Sequence, residues 1–167
     1  MFPILIGIPI MLFAAMLQSS LVSHFTLLSG MADLVLVVIV AWTIDARVKY
    51  AWVWAALGAL FVSLFSAMPF YVYLFSYGLV AWISYYFQRK IWQAPLLIML
   101  GITLLGTIIE QVLSMLALQF NGTSLSFSTG FTRITLPSVL LNLLVALPIY
   151  ALLHYLAGKV HPEKQEE

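Results

Sequence analysis

Residues 94–119 read APLLIMLGITLLGTIIEQVLSMLALQ. The run is long enough to cross a bilayer as a helix, which takes about 20 predominantly apolar residues. It carries one carboxylate, Glu110, well inside. A lone acid at bilayer depth costs ~2.5–3.5 kcal/mol on insertion scales, so it faces protein or a wet cavity. Thr103, Thr107, Glu110, Gln111 and Ser114 follow steps of four, three, one and three, which gather them on one face of a 3.6-residue helix. Gly106 lies at the margin of that face and lets a neighbour approach. Leu104, Leu105, Ile108, Ile109, Leu113 and Leu116 make the opposite, lipid-like face. This helix is therefore expected to have an inside and an outside.

The composition extends that reading to the whole chain. Of 167 residues, 63% are hydrophobic and 8% charged, against roughly a quarter charged in soluble proteins. With a mean hydropathy of +1.07, the expected class is an all-α integral membrane protein. Residues 159–167 are the one clearly polar stretch and read as a short cytoplasmic tail. The chain has no cysteine and three scattered histidines, so neither a disulfide framework nor a metal cluster is expected. A net charge of +1 gives no sign of a nucleic-acid partner.

Six helices account for residues 1–158, over about 3–22, 31–45, 51–67, 70–88, 94–119 and 134–157. No Lys or Arg precedes Arg47, so the first run lacks the basic flank of a signal peptide and reads as a retained helix. Residues 51–88 are apolar almost throughout and would make a rod of about 57 Å, twice the bilayer core. The chain must fold back at Ser66-Ala67-Met68-Pro69. Asp33 suits the positive end of the second helix. Trp42 reads as an interface marker, and Trp52, Trp54, Trp82, Tyr85, Tyr86 and Trp92 as an aromatic belt. Tyr71, Tyr73, Phe75 and Tyr77 read as an interface belt, or as the lining of a ligand pocket. Residues 120–132, rich in Gly, Ser and Thr, read as the one substantial loop, with a short hairpin or strand-like course open to it. Pro148 falls mid-helix in the sixth run and should kink it.

An even number of helices puts both termini on one side, with Arg47, Lys49, Arg89, Lys90, Lys159 and Lys164. Only Arg133 lies on the other. Six against one is a strong positive-inside bias and predicts cytoplasmic termini. Arg133 is the natural counter-charge for Glu110, although at 1.5 Å per residue Glu110 lies ~13 Å from the helix end, and a solvated interfacial role fits Arg133 better. Asn142 is placed to hydrogen-bond across the bundle. No catalytic motif or phosphate-cradling loop is visible, and no enzymatic role or cofactor is expected.

Two stretches carry a resemblance. ADLVLVVIVAWTID (residues 32–45) and LPSVLLNLLVALPIYALLHYL (residues 136–156) resemble the second and last helices of the bacterial rod shape-determining protein MreD family. The departures are Ala32, where the family has proline, and Ser63 in VSLFSAMPF (residues 62–70), where it commonly has an acid. Glu110 is a candidate replacement for that acid. The resemblance implies a non-enzymatic inner-membrane subunit of the cell-elongation, peptidoglycan-synthesis machinery. Its implied partners are an MreC-like membrane protein, RodA with its transpeptidase, and the MreB filament. The family fold is also similar to the substrate-binding subunits of energy-coupling-factor vitamin transporters, which leaves a vitamin-binding subunit as the rival. The residues expected to form the inner seam or to meet a partner are Asp33, Thr103, Thr107, Glu110, Gln111, Ser114, Arg133, Asn142 and Pro148.

Overall fold

A computed structural model describes residues 2–20, 27–45, 50–88, 94–123 and 126–160. They are all-helical but for links and one isolated bridge, Leu27 with Gly30. The helices are α1 (Phe2–Ser20), α2 (Leu34–Ile44), α3 (Ala51–Phe65), α4 (Phe70–Gln88), α5 (Pro95–Phe120), the single turn α6 (Phe127–Gly130) and α7 (Leu136–Val160). A π-helical turn, Phe131–Thr135, joins α6 to α7 in one continuous rod. Two rods are long and apolar enough to cross a membrane, Pro95–Phe120 and Phe127–Lys159. Of the basic residues used for orientation, those at 47, 49, 89, 90 and 164 lie outside the described residues, as does the aromatic at 92.

The shortest full helix is the centre. α2 is apolar but for Thr43, and ten of its eleven residues are buried, as a helix hydrophobic all round must be. At about 16 Å it covers half a bilayer core. α1, α3, α4, α5 and α7 all pack on it. Those five also pack in sequence, α1 on α3, α3 on α4, α4 on α5 and α5 on α7. Among the described residues no comparable packing closes the ring between α1 and α7.

Glycines set the closest approaches. A Cβ on Gly106 would lie 3.0 Å from Val80 and 3.5 Å from Leu36, so this glycine of α5 admits both α4 and α2. Gly58 of α3 receives Val35 and Ile39, and Gly7 of α1 receives the Trp54 ring. Gly30 is tightest, because its Cβ would meet backbone: the Ile134 carbonyl at 2.6 Å and the Ser138 nitrogen at 2.7 Å. Gly30→Ala is therefore expected to cost about 2–3 kcal/mol, the upper range for overpacking, in unfolding measured on the purified chain. An unchanged stability would mean that this link does not sit against α7.

Several expectations need correction. The rod expected to begin at 134 begins at Phe127, and residues 120–132 form no strand-like loop among the described residues. Inside that rod, Pro137 has no N–H to give the Arg133 carbonyl four residues back. That carbonyl instead accepts from Ser29 N at 3.1 Å, and the widened π turn ends at Thr135, two residues before the proline. α2 begins at 34, not 31, because Asp33 caps it from outside. α3 ends at Phe65 rather than 67. Trp42 and Trp54 are not at an interface: both are 1% exposed and stack on each other, centroids 4.2 Å apart. Their flat faces fill the space between α2 and α3. Trp52, Trp82 and Tyr86 do face outward. Tyr71 and Phe75 also point out, whereas Tyr73 and Tyr77 point into the bundle.

Candidate functional site

The inward polar groups meet at the start of α2. Asp33 takes the N-cap position, where its Oδ1 accepts from Leu36 N at 2.9 Å. A carboxylate here satisfies one of the orphan donors of the first turn. Its Oδ2 accepts the Tyr77 hydroxyl of α4 at 2.7 Å. Its backbone N–H donates to Asn142 Oδ1 of α7 at 2.6 Å. The Asn142 amide in turn donates to Thr107 Oγ1 of α5 at 2.8 Å, and that hydroxyl donates to the Thr103 carbonyl. Gln18 near the end of α1 accepts from Val35 N, a second orphan donor of the same turn. One short junction thus joins α1, α2, α4, α5 and α7. Its members are buried except Gln18, which is half-buried: Tyr77 and Asn142 are 0% exposed and Thr107 is 1%.

A second junction sits at the other end of α2. Asp45, its C-cap, is bonded to His154 of α7 (Oδ2 to Nδ1, 3.0 Å), and its carbonyl accepts from the Gln88 amide of α4. Tyr150 stacks on the His154 ring. The spacings agree across three helices: Asp33 to Asp45 is 45 − 33 = 12 residues, Tyr77 to Gln88 is 88 − 77 = 11, and Asn142 to His154 is 154 − 142 = 12. α2, α4 and α7 therefore run parallel and in register over about 18 Å. Polar pairs at both ends of a smooth apolar helix fix its depth, which the apolar contacts between them leave free to slide.

No family model, curated protein or solved structure matches this chain. Function therefore rests on what these groups do where they stand.

The polar face of α5 is turned inward. Thr103, Thr107, Glu110 and Ser114 are buried, while Leu104, Leu105 and Leu116 are exposed. Glu110, 6% exposed, accepts the Ser114 hydroxyl at 2.9 Å, one turn along its own helix. Gln111 is half-buried. Arg133 is exposed, and among the described residues it forms no ion pair with Glu110; only its carbonyl is engaged, by Ser29. Pro148 is exposed on α7, which continues helical through it. The nine residues thus divide. Asp33, Asn142, Thr107 and Thr103 share one bonded chain, Glu110 and Ser114 pair on α5, and Gln111, Arg133 and Pro148 join neither. Thr103 Oγ1 is buried without a hydrogen-bond partner among the described residues.

Tyr77, Gln18, Asp45 and His154 belong to the junctions and were not marked by sequence spacing. Tyr77 lies in an aromatic run whose members look alike. The signal for Asp45 and His154 was present, as an acid and an imidazole the same distance beyond Asp33 and Asn142.

Glu110 has no described hydrogen bond to another helix, so Glu110→Gln, which keeps an acceptor for Ser114, is expected to change the unfolding free energy by less than about 1 kcal/mol. A larger loss in a denaturant titration would make Glu110 part of the interhelical junction.

Proposed function

We propose that the chain is a six-span protein of the bacterial cytoplasmic membrane, with both termini cytoplasmic, serving as a non-enzymatic scaffold subunit of the cell-elongation machinery. It binds an MreC-like single-span partner, and through it the RodA–transpeptidase synthase and the MreB filament. One observation carries this reading: the inward polar side chains of the Asp33 junction bond one another from helix to helix and brace the bundle. Such groups hold a frame in shape. The two stretches that resemble the MreD family are the ones the frame is built on, since Asp33 bonds Asn142 and Asp45 bonds His154. The outer wall suits lipid, with Phe13, Phe75, Leu97, Leu144 and Leu152 all more than half exposed. At bilayer depth such a wall is normal, whereas in water it would exceed any ordinary apolar patch.

The vitamin-transporter reading has one observation in its favour, a recess of about 190 Å³ lined by Gln18, Ser19, Met31, Ser66 and Tyr73. Small-molecule sites run to about 300–1,000 Å³, so this one is too small for a vitamin without a rearrangement, and the larger groove between α1 and α7, about 540 Å³, has no polar side chain in its lining to orient one. Co-purification from membranes with an MreC-like protein decides between them. Retention of the partner, with no thermal shift across a vitamin panel, is expected. No retention, together with a vitamin-dependent shift, would reverse the assignment.

A further inference from the structure

The recess too small for a vitamin holds hydrogen-bond donors that the frame does not use. It lies where the end of α1 meets the hairpin between α3 and α4, with Ala15 and Val62 in its apolar wall and Gln18, Ser66 and Tyr73 among its polar side chains. Tyr73 is buried, and its hydroxyl lies 2.7 Å from Ser66 Oγ. Ser66 Oγ also accepts from Met68 N at 3.2 Å. The two hydroxyls bring two hydrogens, and the bond between them uses one. Whichever oxygen donates, the other O–H has no acceptor among the described residues. Gln18 commits its Oε1 to Val35 N, and its amide nitrogen carries two N–H donors. The neighbouring Asp33 carboxylate can take one of them, which leaves at least one to the recess. Ser19, which is exposed, donates to its own helix at the Met16 carbonyl.

We infer that this recess binds a small uncharged amide, whose carbonyl oxygen accepts from Gln18 and from the Ser66–Tyr73 pair; the site goes beyond the scaffold reading and does not depend on it. Charge and size select this class. No Lys, Arg or His lines the recess, and Asp33 stands beside Gln18, so an anion would enter toward a carboxylate with no counter-charge. No acidic side chain lines it either, so a cation would find hydroxyls and an amide in place of carboxylates. A carbonyl oxygen has two lone pairs and can meet both donors without a charge to desolvate. The amide N–H can return a bond to a hydroxyl oxygen, and the carbon end can rest on Ala15 and Val62. The volume of about 190 Å³ is the share of roughly six waters at ~30 Å³ each, which suits a molecule of a few heavy atoms. Gln18 holds α1 to α2 through Val35, and Tyr73 packs on Tyr77 with centroids 5.6 Å apart. An occupant bonded to both adds a tie between α1 and α4 beside the Asp33 junction.

The chain has no native cysteine, so Ser19→Cys places a single thiol in the lining of the recess. The purified full-length variant in bicelles is labelled with a methanethiosulfonate reagent in the presence of acetamide, acetate or methylammonium. A bound solute slows labelling by the factor 1 + [L]/Kd, about threefold at twice its dissociation constant. Acetamide is expected to slow labelling saturably by about threefold or more, at the millimolar concentrations that suit so few atoms. Acetate and methylammonium are expected to leave it unchanged. Leu97→Cys, on α5 and 70% exposed, controls for effects on the reagent and is expected to respond to none of the three. Adding Tyr73→Phe, which keeps the ring and removes the hydroxyl, is expected to raise the acetamide concentration needed by about threefold or more, the loss of one hydrogen bond. The three solutes are compared on one variant, so that comparison stands even if the Tyr73→Phe chain fails to fold. Slowing by acetate or methylammonium in place of acetamide overturns the ligand class. Slowing by none of the three, equal slowing at Leu97→Cys, or slowing that a folded Tyr73→Phe chain leaves intact overturns the site.

Discussion

The Asp33→Ala variant is expected to unfold with about 2–4 kcal/mol less free energy than the parent chain. Two losses add. Removing an N-cap carboxylate costs about 1–2 kcal/mol. Removing the acceptor of a buried interhelical hydrogen bond costs up to a further ~1–2 kcal/mol in a bilayer. The backbone bond from Asp33 N to Asn142 remains possible, which bounds the loss from above. Asp33→Asn keeps an acceptor for Leu36 and a polar group for Tyr77, so its cost is expected to stay under about 1 kcal/mol. Denaturant titration in bicelles separates the two. If asparagine costs as much as alanine, the negative charge matters more than the hydrogen bonds, and the junction has a role beyond bracing.

Trp54→Ala has the largest effect expected from packing alone. The ring is 1% exposed, stacks on Trp42 of α2 and fills the hollow left by Gly7 of α1. It therefore binds three helices at one point. Truncating a buried aromatic costs about 3–5 kcal/mol, because the surroundings close only part of the cavity. Trp54→Phe keeps a ring and should recover more than half of that. Thermal unfolding with intrinsic fluorescence reads both variants. A loss under about 1 kcal/mol for Trp54→Ala would mean that α1 is held by other contacts.

These two residues also show what the sequence could and could not disclose. The helices were legible because long apolar runs bounded by charge leave few alternatives, and the hairpin after α3 followed from length together with the turn residues Ser66-Ala67-Met68-Pro69. The inward face of α5 followed from periodicity. The central place of α2 did not, because a helix apolar on every side has no face to read. Trp54 and Trp52 sit two residues apart in one aromatic cluster, and only the approach of Gly7 and Trp42 decides which of them turns in. Asp33 was readable as a cap from its local sequence. Its bonds to Tyr77 and Asn142, 44 and 109 residues away, depend on the register of three helices. Glu110, the most conspicuous group in sequence, is expected to contribute little across the bundle, because its described bond stays within its own helix.

In the proposed six-span arrangement, the parallel course of α2, α4 and α7 puts the starts of all three on one side, which the positive-inside expectation makes extracytoplasmic. Reporter fusions measure this directly. Alkaline phosphatase inserted at Ser66 or Gly122 is expected to be active, and a green fluorescent protein fused after Glu167 is expected to fluoresce. An exported, dark C-terminal fusion, or an inactive phosphatase at both internal sites, would contradict the six-span arrangement and the scaffold built on it.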